Sequence, residues 1–160
     1  QLTDPPNTKF PNRAFIFKAM AVRNPSKNMV AVFYNKTDRA EFYKNDSLIK
    51  IIVGQKKFGP IMQVKKLDTG FSVEDCEKTR FSYLSITSSN DLIYCLTAGN
   101  IVGETCSNKI LVFNWEGDLV NEVILNRAVC KIYIDSPNNI LYCYDNIDNG
   151  IFSADLNLKK

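Results

Sequence analysis
The chain has 160 residues, of which 45% are hydrophobic and 23% charged, with a net charge of +3. That length and apolar content suit one ordinary folded domain and exclude wholesale disorder. The charge is too mild to argue for a nucleic acid or an anionic membrane surface as partner.

Residues 1–13 read as a polar, proline-punctuated linker or extended arm. From Phe15 onward, short β-type runs alternate with Asn, Asp, Gly, Ser and Pro, and no sustained 3.6-residue apolar period occurs, so little or no helix is expected. The first unit runs Lys18–Arg23, a turn at Asn24-Pro25-Ser26, Met29–Tyr34, a tight Asn35–Asp38 loop, Arg39–Tyr43, a turn at Asn45-Asp46, and Leu48–Val53. A long connection, 54–80, follows. The second unit runs Tyr83–Thr87, Leu92–Thr97, Lys109–Trp115 and Leu119–Leu125. The third has Cys130–Ile134, Ile140–Tyr144 and Ile151–Asp155.

The second strands begin at Met29, Leu92 and Ile140, 63 and 48 residues apart. A propeller blade usually takes ~40–50 residues, and the longer interval contains the 54–80 connection. Each unit is one antiparallel meander with the same order of turns, and Phe42, Phe113 and Phe152 recur on the third strands. A lone meander cannot bury both faces, so the units are expected to stack as blades. An ordinary all-β sandwich is the competing arrangement. The expected fold is therefore all-β: about three four-stranded blades of a larger ring, spanning 14–53, 81–125 and 128–160, the last lacking its outer strand. Three blades cannot close a ring, since known rings have about 4–8. The remaining blades are expected from a missing segment or a second chain.

The motifs Asp38-Arg39-Ala40-Glu41-Phe42-Tyr43, Ile51-Ile52-Val53-Gly54, Phe58-Gly59-Pro60, Phe81-Ser82-Tyr83 and Ile110–Gly117 resemble the C-terminal half of TolB-like six-bladed propeller lipoproteins of gut anaerobes. The resemblance spans about residues 15 to 156. The chain departs from it at Asn114, where an acidic residue is more usual, and at Ala40, where a larger aliphatic is expected. The resemblance implies a six-bladed ring, an extracytoplasmic location (periplasm or outer-membrane associated) and a lipid anchor on an N-terminus not present in this chain. It implies no reaction, and no functional residue carries over.

Chemistry-bearing patterns are sparse. The absence of histidine removes the commonest general base, the Ser-His-Asp and Cys-His arrangements, and most zinc and iron sites. There is no Gly-rich phosphate loop and no Gly-x-Ser-x-Gly elbow. No cofactor or metal is expected. Cys95 and Cys143 sit in apolar contexts and read as core, whereas Cys76 and Cys106 lie in polar loops where the two can meet. Asp38-Arg39 and Arg80 read as ion pairs between blades. Asp145, Asn146, Asp148 and Asn149 offer oxygen ligands but lack the spacing of a dedicated calcium loop.

Loops on a rigid scaffold are where function concentrates. The expected loop-face residues are Lys56, Lys57, Phe58 and Arg80 of the long connection, with Arg127 from the connection into the last blade and Asp145 and Asp148 from that blade. The expected function is a non-catalytic binding or scaffold module engaging a protein, peptide or glycan. The competing function is a propeller enzyme of lactonase, lyase or glycosidase type whose site is shared with the missing blades.

Overall fold
The computed structural model describes residues 13–54, 57–98, 105–146 and 148–155; residues 1–12 of the expected N-terminal arm lie outside them. Among the described residues, one short helix, α1 (Arg13–Ile16), precedes thirteen strands. β1 (Ala19–Asn24), β2 (Met29–Tyr34), β3 (Arg39–Lys44) and β4 (Ser47–Val53) form an antiparallel sheet in sequence order. β5 (Gln63–Leu67) and β6 (Gly70–Glu74) form a separate hairpin. β7 (Tyr83–Ser88), β8 (Leu92–Thr97), β9 (Ser107–Asn114) and β10 (Leu119–Val129) make the second four-stranded meander. β11 (Lys131–Asp135), β12 (Ile140–Asp145) and β13 (Gly150–Asp155) make a three-stranded third.

The turns follow from the residues in them. Asn45 and Asp46 both take positive φ, 48° and 62°, the two-residue turn whose twist matches an antiparallel pair. Gly117, at φ 80°, turns β9 into β10. A Cβ there would lie 2.9 Å from the Phe42 ring, so this glycine also lets the second blade close on the first.

The three meanders stack face to face in chain order, with the first strands β1, β7 and β11 side by side. Strand alternation sends one set of residues to each neighbour. Met29, Ala31 and Phe33 of β2 and Ala40 and Phe42 of β3 meet Tyr83, Ile93, Cys95, Phe113 and Trp115 of the second blade. Leu84, Tyr94, Leu96, Ile110 and Val112 on the opposite side of that blade meet Ile132, Ile134, Leu141 and Cys143 of the third. Phe33 is the centre of the first interface, with rings at 5.1 Å (Tyr83), 5.7 Å (Phe113) and 5.8 Å (Phe42). The second interface is also tied by backbone: Ile132 N–H donates to Ser85 Oγ at 3.2 Å, and Ile134 N–H to Thr87 Oγ1 at 3.1 Å.

Residues 57–80 of the connection contain regular structure that their sequence does not suggest. Its centre is the β5–β6 hairpin, turning at Asp68-Thr69, with Val64 opposite Val73 and Lys66 opposite Phe71 on one face. The lysines interrupt the apolar alternation, which is why it reads as loop. β10 also runs on through 126–129, beyond the end expected at Leu125, with its register shifting between Ile124 and Val129.

Candidate loop-side site
In an antiparallel meander, the loops between second and third strands and the connections between blades emerge on one side of the sheets. Here that side gathers the 35–38 turn, residues 57–82 of the connection, Cys106, Cys130, Asn146, Asp148 and Asn149.

At the junction of the first two blades the polar groups are buried and mutually engaged. Asn35 Nδ2 donates to the Tyr83 carbonyl at 2.7 Å, and Ser82 N–H to the Asn35 carbonyl at 2.8 Å. Lys36 is only 2% exposed. Its ammonium sits 3.6 Å from the Phe15 ring centre, faces Phe81 at 5.9 Å, and pairs with Asp75 at 2.6 Å. A cation moved out of water needs such compensation. The arrangement staples α1 and the connection onto the first blade. Thr79 continues the staple, donating to the Ile61 carbonyl at 2.7 Å while its hydroxyl accepts from Cys76 N–H at 2.7 Å. That hydroxyl, then the Lys78 backbone, holds the Cys76 thiol below its usual range.

Asp38 and Arg39 do not pair between blades as their adjacency suggests. Arg39 turns to Glu41 of the same strand at 2.6 Å, because residues two apart on a strand share a face. Glu41 also accepts from Tyr43 at 2.6 Å and Tyr34 at 3.1 Å. Burial raises its carboxyl, and these hydrogen bonds outweigh that, leaving it below the ordinary value. The same carboxylate, with burial second, pushes the Tyr43 phenol up to about 12. Asp38 is buried with no hydrogen-bond partner on Oδ2. Gly54 lies against it, and a Cβ there would be 2.8 Å from that oxygen. Arg80 is exposed at an isolated bridge position, so the expected Arg80 ion pair is also absent from the described contacts.

The junction of the second and third blades holds a second group, with Arg127 on β10. Arg127 pairs with Asp148 at 2.6 Å and Asp145 at 3.5 Å, and its guanidinium stacks 4.1 Å from the Phe152 ring centre. The carboxylates that offered calcium ligands thus face a cation, and among the described residues no group of three His, Cys, Asp or Glu converges. Cys106 is joined to Cys130 by a disulfide, not to Cys76, which is free. Cys130 reads as a strand residue in the sequence. The structure places it at the β10–β11 junction, on the side where the chain returns from the β8–β9 loop.

Three of the expected loop-face residues, Arg127, Asp145 and Asp148, therefore come together. Lys57 and Phe58 lie apart from them on the connection, Lys57 exposed at φ 45° and Phe58 half-buried; Lys56 lies outside the described residues. Sequence reasoning missed Lys36 and Asp75, because Asn-Lys-Thr-Asp reads as a solvated turn until the connection is seen to fold over it. The hairpin is largely exposed. Val64 and Leu67 are each half-exposed, Phe71 is 60% exposed, and Lys65 pairs with Glu74 on the opposite face. A separate open groove of about 510 Å³ lies at the outer rim between Lys50–Val53 and the β9–β10 turn. No helix among the described residues is long and apolar enough to cross a membrane.

The family described as TolB-like 6-blade propeller-like matches residues 4–137. No curated protein matches the chain. Among solved structures, the β-propeller domain of Myceliophteria thermophila Cps50 (Swd1) is similar at 10% identity, with a TM-score of 0.39. That alignment covers 88% of this chain and 55% of the other, so the chain spans about half the length of that propeller domain.

Proposed function
Since the chain belongs to the TolB-like 6-blade propeller-like family, we propose that it is a non-catalytic binding or scaffold module of an extracytoplasmic propeller lipoprotein. Its loop side engages a protein, peptide or glycan. The remaining blades come from a further segment or a second chain, and the anchor is a lipid on an N-terminus outside this chain. The observation that carries the reading is the β5–β6 hairpin. A two-stranded hairpin is marginally stable in water. This one is stapled at its base by Lys36–Asp75 and Thr79, yet leaves Val64 and Phe71 exposed beside Lys66. Aromatic and cationic side chains on one exposed face suit stacking on a sugar or gripping an acidic peptide. Arg127, Asp145 and Asp148 extend the polar part of the same side. The Cys106–Cys130 disulfide supports the extracytoplasmic reading, because such bonds persist in oxidising compartments.

The test is binding of the wild-type chain to arrays of glycans and acidic peptides, repeated with Phe71→Ala/Lys66→Glu. At least one probe should bind the wild type and bind the double variant at least tenfold more weakly, with unchanged circular dichroism. A double variant that binds like the wild type overturns the hairpin reading. Turnover of lactone or glycoside substrates by the wild type overturns the non-catalytic one.

A further inference from the structure
The loop end of the second blade is irregular, and its cysteines close the irregularity. β10 pairs with β9 as far as Ile124 opposite Lys109, and pairing resumes only at Val129 opposite Ser107. Residues 125–128 therefore bulge past the single residue Asn108, whose Nδ2 donates to the Leu125 carbonyl at 3.3 Å. A bulge interrupts the ladder and re-aims side chains. This one carries Arg127, which leaves its own blade to reach Asp148, Asp145 and Phe152 of the third. Beyond the bulge the described ladder keeps one pair, Val129 with Ser107, and the next residues along, Cys130 and Cys106, are covalently joined. The bulge is thus pinned by the regular ladder at one end and by the disulfide at the other. Exposed ion pairs are worth little in water, so the Arg127–Asp148 contact does not hold the bulge unaided.

We propose that the Cys106–Cys130 bond is a dithiol-reducible latch: closed, it fixes the Arg127 bulge against Asp145 and Asp148 of the third blade, and opened, it releases the bulge. Three features support this. Cys106 is only half-buried, so an incoming thiolate reaches its sulfur. Among the described residues neither interblade cluster contains Cys106 or Cys130, so opening is local rather than global. Asn146 Oδ1 lies 3.0 Å from Cys130 Sγ and 3.3 Å from Cys106 Sγ. A disulfide has no proton to give that oxygen, whereas two thiols have, so the reduced pair finds an acceptor in place. The step is thiol–disulfide exchange. One thiolate of the reductant bonds to Cys106 Sγ, the S–S bond breaks, and its electron pair leaves on Cys130 Sγ, which takes a proton. The second thiol of the reductant then displaces Cys106, which leaves as a thiolate and is protonated. The reductant ends as its own cyclic disulfide, having passed two electrons and two protons to the protein. In an oxidising compartment the latch stays closed until such a dithiol acts. That the setting of Arg127 controls a ligand rests on the loop-side reading above; the opening itself does not.

The experiment is amide hydrogen exchange of the full native chain before and after dithiothreitol, read by mass spectrometry, with the Cys106→Ser/Cys130→Ser variant alongside. Reduction should speed exchange over residues 105–108 and 125–130 by about tenfold or more, and reoxidation should reverse it. Exchange in β2 and β8 and the emission of Trp115 should not change. The double variant should exchange like the reduced chain and ignore dithiothreitol; the wild type alone decides the question if that variant does not fold. A native bond that dithiothreitol leaves intact, reduction without faster exchange at 125–130, or reduction that unfolds the blades together with the bulge overturns the proposal. Reduction leaves Phe71 and Lys66 in place, so a failure of the glycan and peptide arrays to find a ligand is read separately from a failure of the latch.

Discussion
Replacing Phe33 by alanine tests the stacking of the first two blades. Phe33 is fully buried and touches three rings, one from its own blade and two from the next. Truncating a buried Phe costs about 3–5 kcal/mol, combining lost transfer energy with the cavity left behind. Edge-on ring pairs add about 0.5–1.5 kcal/mol each beyond area, so the upper half of that range applies, and about 4 kcal/mol is expected. For a chain of this size that corresponds to a fall in Tm of roughly 8–16 °C. Typical domains hold only about 5–15 kcal/mol, so the variant is expected to be partly unfolded near body temperature. The assay is urea unfolding at fixed protein concentration, followed by far-ultraviolet circular dichroism and by fluorescence. The chain has a single tryptophan, Trp115, fully buried in the same interface and bonded through Nε1 to the Ser89 carbonyl at 3.2 Å. Its emission therefore reports the junction itself. Both signals should shift together and by the same midpoint. Phe71→Ala, in the exposed hairpin, should move the midpoint by about 0.5 kcal/mol or less. A Phe33→Ala cost below about 1 kcal/mol, or a Trp115 transition separated from the circular dichroism transition, would refute the packed-blade reasoning.

Glu41 makes stability depend on pH in a stated direction. Its folded-state carboxyl lies below the ordinary value, so its contribution is present above about pH 4.5 and lost as pH falls through the lower folded value. Glu41→Gln should flatten the acid limb of a Tm-versus-pH curve; an unchanged limb contradicts the network. Tyr43 gives the opposite window. Raised to about 12, its contribution is full below about pH 10 and lost as pH rises through the folded value, so Tyr43→Phe should blunt the alkaline loss seen by thermal melts. Lys36→Met keeps the stem but removes the charge held by Phe15 and Asp75. It should cost about 1–2 kcal/mol and speed limited proteolysis within residues 57–80; unaltered cleavage argues against the staple. Thiol titration of the denatured, unreduced chain should find three free cysteines, Cys76, Cys95 and Cys143. Cys130→Ser should then cost about 3 kcal/mol for the loop of 24 residues, and five titratable thiols would refute the bridge.

The meanders were legible because their signals are local. Asn45-Asp46 needs positive φ at both positions, and the alternation in Met29–Tyr34 and Leu92–Thr97 needs only period two. Which face of a strand meets which neighbour was also implicit, since a one-residue slip would expose Phe33 and bury Tyr34. What stayed hidden depends on residues far apart in sequence. Lys36 is buried only because Phe15, Asp75 and Phe81 converge on it. Cys130 meets Cys106 only because the β8–β9 and β10–β11 connections share one side. Arg39 reaches Glu41 because residues two apart share a strand face, but only the paired strands show Tyr34 and Tyr43 converging on the same carboxylate. The hairpin escaped because Lys65, Lys66 and Glu74 dilute its alternation, and its stability draws on the staple at its base as well as its own pattern.

The distribution of polar burial separates holding the fold from presenting a surface. The two interblade cores are built almost wholly from strand residues, with Ala98 and Trp115 added from the ends of β8 and β9. The side away from the candidate site is tied by surface pairs, Lys27–Asp91 and Lys50–Asp118, each worth little in water. The loop side instead holds a buried lysine kept by its partners, a disulfide, and one buried carboxylate oxygen, at Asp38, with no hydrogen-bond donor. Buried polar groups without partners are unfavourable by about 1–3 kcal/mol, and a fold selected only for stability would shed them. Gly54 sharpens the point, because any side chain there would press on Asp38. The scaffold can sustain this local cost because the cores are independent of it. Substitutions at the hairpin and at Arg127 and Asp148 should therefore alter what the loop side binds before they alter whether the blades fold.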